Sequence, residues 1–424
     1  MNTRWSNYKL NELGFVGRGK SKHRPRNDPS LYGGEYPFIQ TGDVKKANLF
    51  LTVYSQTYND IGLLQSKLWN RGTLCITIAA NIAETAILGI DGCFPDSIIG
   101  FIPDESKADV RFIKYYFDLV KRNMQNISHG TTQDNFSLEK LSLFDFYVPS
   151  LPLQNKISSI LSAYDDLIEN NTRRIAILEE MAQRIYKEWF VDFKYPGHEN
   201  GEMVDSELGI IPETWGVKKL SDILSTLESG SRPRGGIDPA VREVPSIGAE
   251  NILGLGKYNY SKEKYVTSEF FNEMRRGEIK SEDVLLYKDG AKLGRKSMFM
   301  DGFPHNECCI NEHVFILRTN ESCSQAYLYF WLDLPKVTSD IINLNSNAAQ
   351  PGINQMGVKS LPILLADDAS MDKSNEMIYP LLSEIFNLAK KNKTLRQTRD
   401  LLLPKLISGQ VDVSELDIDV GAEA

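Results

Sequence analysis

At 424 residues the chain exceeds the roughly 250 to 300 at which a single hydrophobic core stops growing, so two or more domains are expected. Its 42% hydrophobic and 25% charged content is that of a globular protein, and no apolar run reaches the roughly 18 residues that would span a bilayer. A net charge of -8 excludes global electrostatic attraction to nucleic acid, so any such binding must come from locally concentrated cations. The start, Met1-Asn2-Thr3-Arg4-Trp5, has no charged and apolar leader pattern, which predicts a cytoplasmic protein. Five cysteines without a C-x-x-C pair or a Cys/His cluster predict reduced thiols and no metal ligands.

In chain order, the first informative segment is one that returns. WSNYKLNEL at 5–13 reappears as WGVKKLSDI at 215–223, and the offset of 215 - 5 = 210 sets Trp5 on Trp215 and Leu10 on Leu220. YPFIQTGDV at 36–44 matches VPSIGAENI at 244–252, with Pro37 on Pro245 and Ile39 on Ile247. HGTTQDNFS at 129–137 matches NAAQPGINQ at 347–355, with Gln133 and Phe136 on Gln350 and Ile353, an offset of 350 - 133 = 217. Ordered self-similarity of this kind implies two copies of one structural unit, with small insertions accounting for the drift.

Between these markers the pattern is mixed. Apolar runs at 73–79, 97–103, 284–288 and 313–318 read as strands, and 110–120 and 326–334 read as helices. Residues 1–151 and 212–366 are therefore expected as α/β (α+β) globular domains in tandem repeat. The polar, glycine-containing stretch 196–211 reads as the linker between the halves.

Each half ends in a heptad seam. The first runs Ile157, Leu161, Tyr164, Ile168, Asn171, Ile175, Leu178, Ala182, Ile185 and Trp189, in steps of four and three. The 217 offset lands on Ser374, Ile378, Leu381, Ile385, Leu388, Asn392, Leu395, Arg399, Leu402 and Leu406. Such seams predict two long coiled-coil helices, at 152–195 and 367–410, with a tail at 411–424. A first helix of roughly 38 residues would be about 55 Å long. Pro196-Gly197 is expected to stop the first helix, Gly409 to close the second, and Pro404 to end or kink it a turn early. One seam alone would equally suit a core helix of a larger bundle. Two seams at equivalent places predict antiparallel pairing, with internal pseudo-two-fold symmetry and the globular domains held apart.

Cations gather in equivalent loops. Lys20, Lys22, Arg24 and Arg26 lie in GRGKSKHRPRND at 17–28, Arg232 and Arg234 in SGSRPRGG at 229–236, and Lys292, Arg295 and Lys296 in KDGAKLGRK at 288–296. These stretches have no apolar face to bury, and phosphate contact or a solvated surface would each explain them. The polar loops 128–135 and 345–355 carry Thr131, Thr132, Gln133, Asn347, Gln350 and Asn354, whose amides and hydroxyls suit base edges and equally suit turns.

Enzyme signatures are nearly missing. No phosphate loop, H-E-x-x-H or G-x-S-x-G elbow occurs. Asp96 with Glu105 and Lys107 has the loose P-D…E-x-K form of metal-dependent nucleases, without a counterpart around Asn311 and Glu312. A self-sufficient nuclease and a coiled-coil scaffold with two protein-binding domains are the rival readings.

The stretches LRQTRDLLLPKLISGQVDV at 395–413, SELGIIPETWGVKKL at 206–220 and VPSLPLQNKISSILSAYDDLIENN at 148–171 resemble the specificity subunits of type I restriction-modification systems of bacteria and archaea. The resemblance implies a non-catalytic chain whose two recognition domains each read half of a bipartite, asymmetric target on double-stranded DNA. It also implies that the helices set the gap and dock two methyltransferase subunits, and that two restriction/translocase subunits complete the complex. No cofactor is then expected on this chain; S-adenosylmethionine, ATP and Mg belong to the partners. Partner contact is expected along the seam at Ile168, Ile175, Leu178, Ile185, Ile385, Leu395, Leu402 and Leu406.

Overall fold

The computed structural model describes residues 5–79, 81–129, 138–345 and 352–418. The chain forms two compact units, one made of Met1–Ile168 with Thr394–Ala424 and the other of Glu169–Lys393.

In the first unit, Leu74–Thr77 is buried on every residue and Ile98–Pro103 on its first four, which is the pattern of inner strands covered on both faces. They form the centre of a five-stranded sheet in the order Gly14–Arg18, Ile98–Pro103, Leu74–Thr77, Thr85–Leu88, Phe50–Leu51. A smaller sheet takes Gln56–Tyr58, Tyr32–Phe38, Gly92–Cys93 and Leu68–Trp69, with Phe38 and Cys93 paired in parallel. Helix Val110–His129 is opened by Asp109, whose carboxylate accepts from the Phe112 amide at 2.8 Å.

The second unit repeats this order. Leu224–Ser229, Val314–Thr319, Val284–Tyr287 and Lys296–Met298 make the larger sheet, and Lys264–Val266, Val244–Ile247 and Cys309–Ile310 the smaller, again with one parallel pairing at Ser246 and Cys309. The match extends to detail. Leu10–Leu13 and Leu220–Ile223 are both one-turn helices introduced by a lysine, and each is flanked by a short strand that pairs with the strand before a long helix. The strands and helices expected at 73–79, 97–103, 110–120, 284–288, 313–318 and 326–334 all form.

The two long helices are Leu151–Phe190 and Asp368–Ile407, 40 residues each and about 60 Å at 1.5 Å per residue. Both boundaries between the units fall inside them. In the second unit Asn171 Nδ2 donates to Asn392 Oδ1 at 2.9 Å, and Arg174 Nη2 lies 2.8 Å from Glu384. Partners fall in number along one helix as they rise along the other, which is antiparallel contact within this unit. In the first unit Arg399 pairs with Asp165, whose other oxygen accepts from Tyr115 Oη at 2.5 Å. Burial opposes the charge on Arg399, but Asp165 and Asp400 leave its pKa raised.

Of the seam residues, Ile175, Leu178, Ile185 and Ile385 join the second unit's main core, while Leu402 and Leu406 join the first unit's. Ile168 is buried and Leu395 half-buried. The buried stripe is wider than a two-position seam, because Leu382, Phe386 and Ala389 are buried too and pack into the same core as the strands of the second unit. Within each unit these segments contact each other and also serve as core helices against the strands.

Two expectations about helix ends need correction. The first helix ends at Phe190 before Pro196-Gly197 is reached. Phe193 adopts a left-handed conformation, φ 56°, where glycine is usual, and Lys194 N closes on Glu188 O at 2.7 Å. The Phe193 ring against Trp215, 5.6 Å between centroids, offsets the backbone strain. Pro404 ends nothing: the second helix continues through it to Ile407, and Gly409 at φ 74° closes it as expected. The linker is not merely polar coil, since Met203–Ser206 and Gly209–Pro212 pair as a hairpin. The tail is also partly structured, with Val413 buried and Lys156 Nζ donating to Ser414 O at 2.6 Å.

Candidate nucleic-acid interface

Each cationic loop leaves the larger sheet through a glycine that no other residue could replace without a shift. A Cβ on Gly19 would lie 2.2 Å from Pro95 O, and one on Gly230 would lie 1.8 Å from Ile310 O. These contacts hold each loop against the end of the short strand that pairs in parallel in the smaller sheet.

In the first unit the loop backbone is pinned while its side chains point outward. Lys20 N donates to Phe94 O at 3.0 Å, Ser66 Oγ to Lys20 O at 2.7 Å, and Gln65 Oε1 accepts from the amides of Lys22 and His23. Lys22, Arg24 and Arg26 are exposed and Lys20 is half-buried. Arg24 is tied by one nitrogen to the carbonyls of Ser21 and His23. Arg26 Nη2 lies 2.6 and 2.9 Å from the two oxygens of Asp96. Asp28 accepts from the Ser30 amide and faces His23 at 2.8 Å; those bonds, the Ser30 one first, hold its carboxyl below its ordinary pKa. Burial raises the Tyr32 phenol, with help from Tyr58, to about 12, so it is a neutral donor to Arg26 O at 2.7 Å.

In the second unit three expected segments converge. Arg232 Nη1 lies 3.6 Å from Glu312, Glu312 lies 3.5 Å from His313 Nε2, and His313 Nδ1 lies 2.8 Å from Asp289. Asp289 bridges to Gly352, and Ile353 N donates to Lys288 O at 3.0 Å, which ties the end of the second polar loop to 288–296. Arg234 and Arg295 are exposed, and Lys292 sits 4.0 Å from Glu250.

Some expected contacts take other roles. Lys296 is turned inward, 13% exposed, and pairs with Asp333 at 2.6 Å. Asn354 spends its side-chain oxygen on the Gly357 amide at 2.8 Å, capping Gln355–Lys359, so turn chemistry accounts for that atom. Thr131, Thr132, Gln133, Asn347 and Gln350 lie outside the described residues. The nuclease-like residues take separate partners: Asp96 holds Arg26, and Lys107 holds Asp104 at 3.1 Å within a surface turn. Among the described residues no group of three or more His, Cys, Asp or Glu is placed to hold a metal ion, and no helix is long and apolar enough to cross a membrane. Sequence reasoning missed Glu312 and His313 as a link between loops, because their connection is made only by folding. Gly19 and Gly230, 211 residues apart, were the available signal.

The fold and its paired basic loops define a duplicated α/β protein with two long shared helices. Residues 2–180 match the type I restriction modification DNA specificity domain. The chain is 24% identical to the type I restriction enzyme MjaIX specificity subunit of Methanocaldococcus jannaschii, over 97% of this chain and 94% of that protein. It is equally 24% identical to the HindI specificity subunit of Haemophilus influenzae, over 96% of this chain and the full length of that protein. The crystallised S subunit of the type I restriction-modification system of M. genitalium shares the fold at a TM-score of 0.58, with 15% identity and 96% of each chain covered. The chain is thus similar, over nearly its whole length, to specificity subunits of type I restriction-modification systems.

Proposed function

We propose that this chain reads a bipartite, asymmetric sequence on double-stranded DNA, one half with each unit, and lends that specificity to partner enzymes while catalysing nothing itself. The observation that carries the reading is the repeated placement of a cationic loop, opened by Gly19 in one unit and Gly230 in the other, at the same point of the same sheet order. Lys22, Arg24 and Arg26, and Arg232, Arg234 and Arg295, supply phosphate contacts that fix position, and the polar loops 128–135 and 345–355 supply base contacts. The recognition domains are the globular portions within 1–151 and 212–366. The two long helices form an antiparallel coiled coil with pseudo-two-fold symmetry, set the unread gap, and dock two methyltransferase subunits. Two restriction/translocase subunits complete the assembly in the cytoplasm, and S-adenosylmethionine, ATP and Mg act on those partners.

The test is selection of duplexes from a random pool by the full chain together with its methyltransferase partner. A two-part motif with a fixed gap is expected, and enrichment of one continuous motif, or of none, would overturn the reading. A scaffold without DNA affinity predicts the latter outcome.

A further inference from the structure

We propose that each unit contains a phosphate-exchange site, Arg26 with Asp96 in the first and Arg232 with Glu312 in the second, in which the carboxylate is a resident counter-charge that a DNA phosphodiester displaces. This deepens the DNA-reading assignment and rests on it.

The two pairs lie in two stretches of dissimilar sequence. In each unit the arginine belongs to the loop after the first strand of the larger sheet, Gly14–Arg18 or Leu224–Ser229, and the acid follows the short strand that pairs in parallel in the smaller sheet, Gly92–Cys93 or Cys309–Ile310. The pair distances are 2.6 Å for Arg26 and 3.6 Å for Arg232. Both pairs are open to solvent: the arginines are 49% and 61% exposed and the acids 39% and 33%. An incoming anion therefore reaches the guanidinium without unfolding anything. Each arginine also lines a surface cavity, of about 410 Å³ beside Tyr32 and Gln56 in the first unit and about 360 Å³ beside Tyr265 and Asn311 in the second. Arg242, lying over the Tyr265 ring at 5.4 Å, and Lys264 add cations to the second cavity.

Carboxylate and phosphodiester compete for the same planar set of N–H donors. The displaced carboxylate leaves the N–H donors but, fixed to the same fold, remains near the guanidinium and still cancels one positive charge of the binding surface. The wild-type loop then displaces about one DNA counterion fewer than an unpaired arginine would. The acids thus hold the arginines in position before DNA arrives, and they weaken the electrostatic part of binding together with its sensitivity to salt. This gives Asp96 a task that its place in a nuclease-like pattern did not suggest.

The experiment measures the affinity of the full chain for a labelled random-sequence duplex of about 30 base pairs between roughly 50 and 200 mM salt. Asp96→Asn and Glu312→Gln are each expected to steepen the slope of log K against log salt by about 0.9, and the double variant by about 1.8. Affinity at low salt should rise about threefold per site, the scale of an exposed ion pair. Asp96→Glu, which keeps the charge, should keep the wild-type slope, and adding Arg26→Ala to Asp96→Asn should abolish the gain. Asp205→Asn, an equal change of net charge on the hairpin, should leave the slope where it was. Unchanged slopes in the Asp96 and Glu312 variants, or an equal change in Asp205→Asn, overturn the exchange site while leaving the DNA reading intact. A wild-type chain that binds no duplex overturns both.

Discussion

Arg318 shows how one side chain can be required by another. Its guanidinium makes two bonds to Asp283, at 2.6 and 2.7 Å, and donates to Glu278 O at 2.8 Å. Asp283 is 1% exposed. Burial raises its carboxyl pKa above the ordinary 3.8, and the Arg318 bonds pull back against that rise. Removing Arg318 strands a buried carboxylate, and Arg318→Ala is expected to cost about 3 kcal/mol at neutral pH. The sign of the pH dependence follows from the raised pKa. The folded chain binds the Asp283 proton more readily than the unfolded chain, so stability is lost as pH rises from 3.8 through the raised value and is regained below it. Urea titrations of the variant and wild type should therefore converge as the pH is lowered. A penalty independent of pH would place the damage elsewhere than at Asp283.

At the scale of elements, the long helices are joined by polar contacts set among apolar ones. Asn392 is 3% exposed; it accepts from Asn171 at 2.9 Å and donates to Thr172 at 3.3 Å. A buried amide left without its partner retains the desolvation cost and loses the bond that offset it. Asn171→Leu, which takes the donor from the buried Asn392, is therefore expected to destabilise the chain by about 1 to 3 kcal/mol, whereas Asn171→Leu with Asn392→Leu should return to wild-type stability or exceed it. A double-mutant cycle in chemical denaturation reads this directly, and additive losses would show that the two amides do not act as a pair. The same residues mark what periodicity does reveal. Asn171 and Asn392 are both seam positions, one step apart under the 217 offset, and they meet in the structure. Arg399 is likewise a seam position, but its partner Asp165 lies off the seam, one residue after Tyr164, so its pairing was hidden. Phe193 in place of a glycine stop was equally hidden, because the favourable contact with Trp215 that permits it comes from 22 residues away.

For the whole molecule, the proposed division of labour predicts separable behaviour of gap and half-sites. One heptad added to each long helix, beside Asn171 and Asn392, keeps the seam in phase and lengthens the pair by about 10 Å. The gap in the selected duplexes should grow by about three base pairs, at 3.4 Å each, with both half-sites retained. Altered half-sites would mean that the helices take part in base reading.

The sequence by itself determined that the chain is duplicated, where two inner strands and one helix of each globular half fall, and that each half ends in a long amphipathic helix. These follow from period, turn chemistry and local order, which act over a few residues and need no knowledge of the rest of the chain. It also located both cationic loops, since charged stretches without an apolar face have nowhere to go but the surface. Only the tertiary structure decided that the helix segments are core elements of the two units as well as contacts for one another. It alone decided that Lys296 turns inward to Asp333, that Asn354 caps a helix, and that Asp96 and Glu312 each hold a loop arginine. Apart from the Asn354 cap, which reaches three positions, those outcomes depend on which side chains arrive beside one another from 37 to over 200 positions away, and the free energy of a charge or an amide is set by that neighbour.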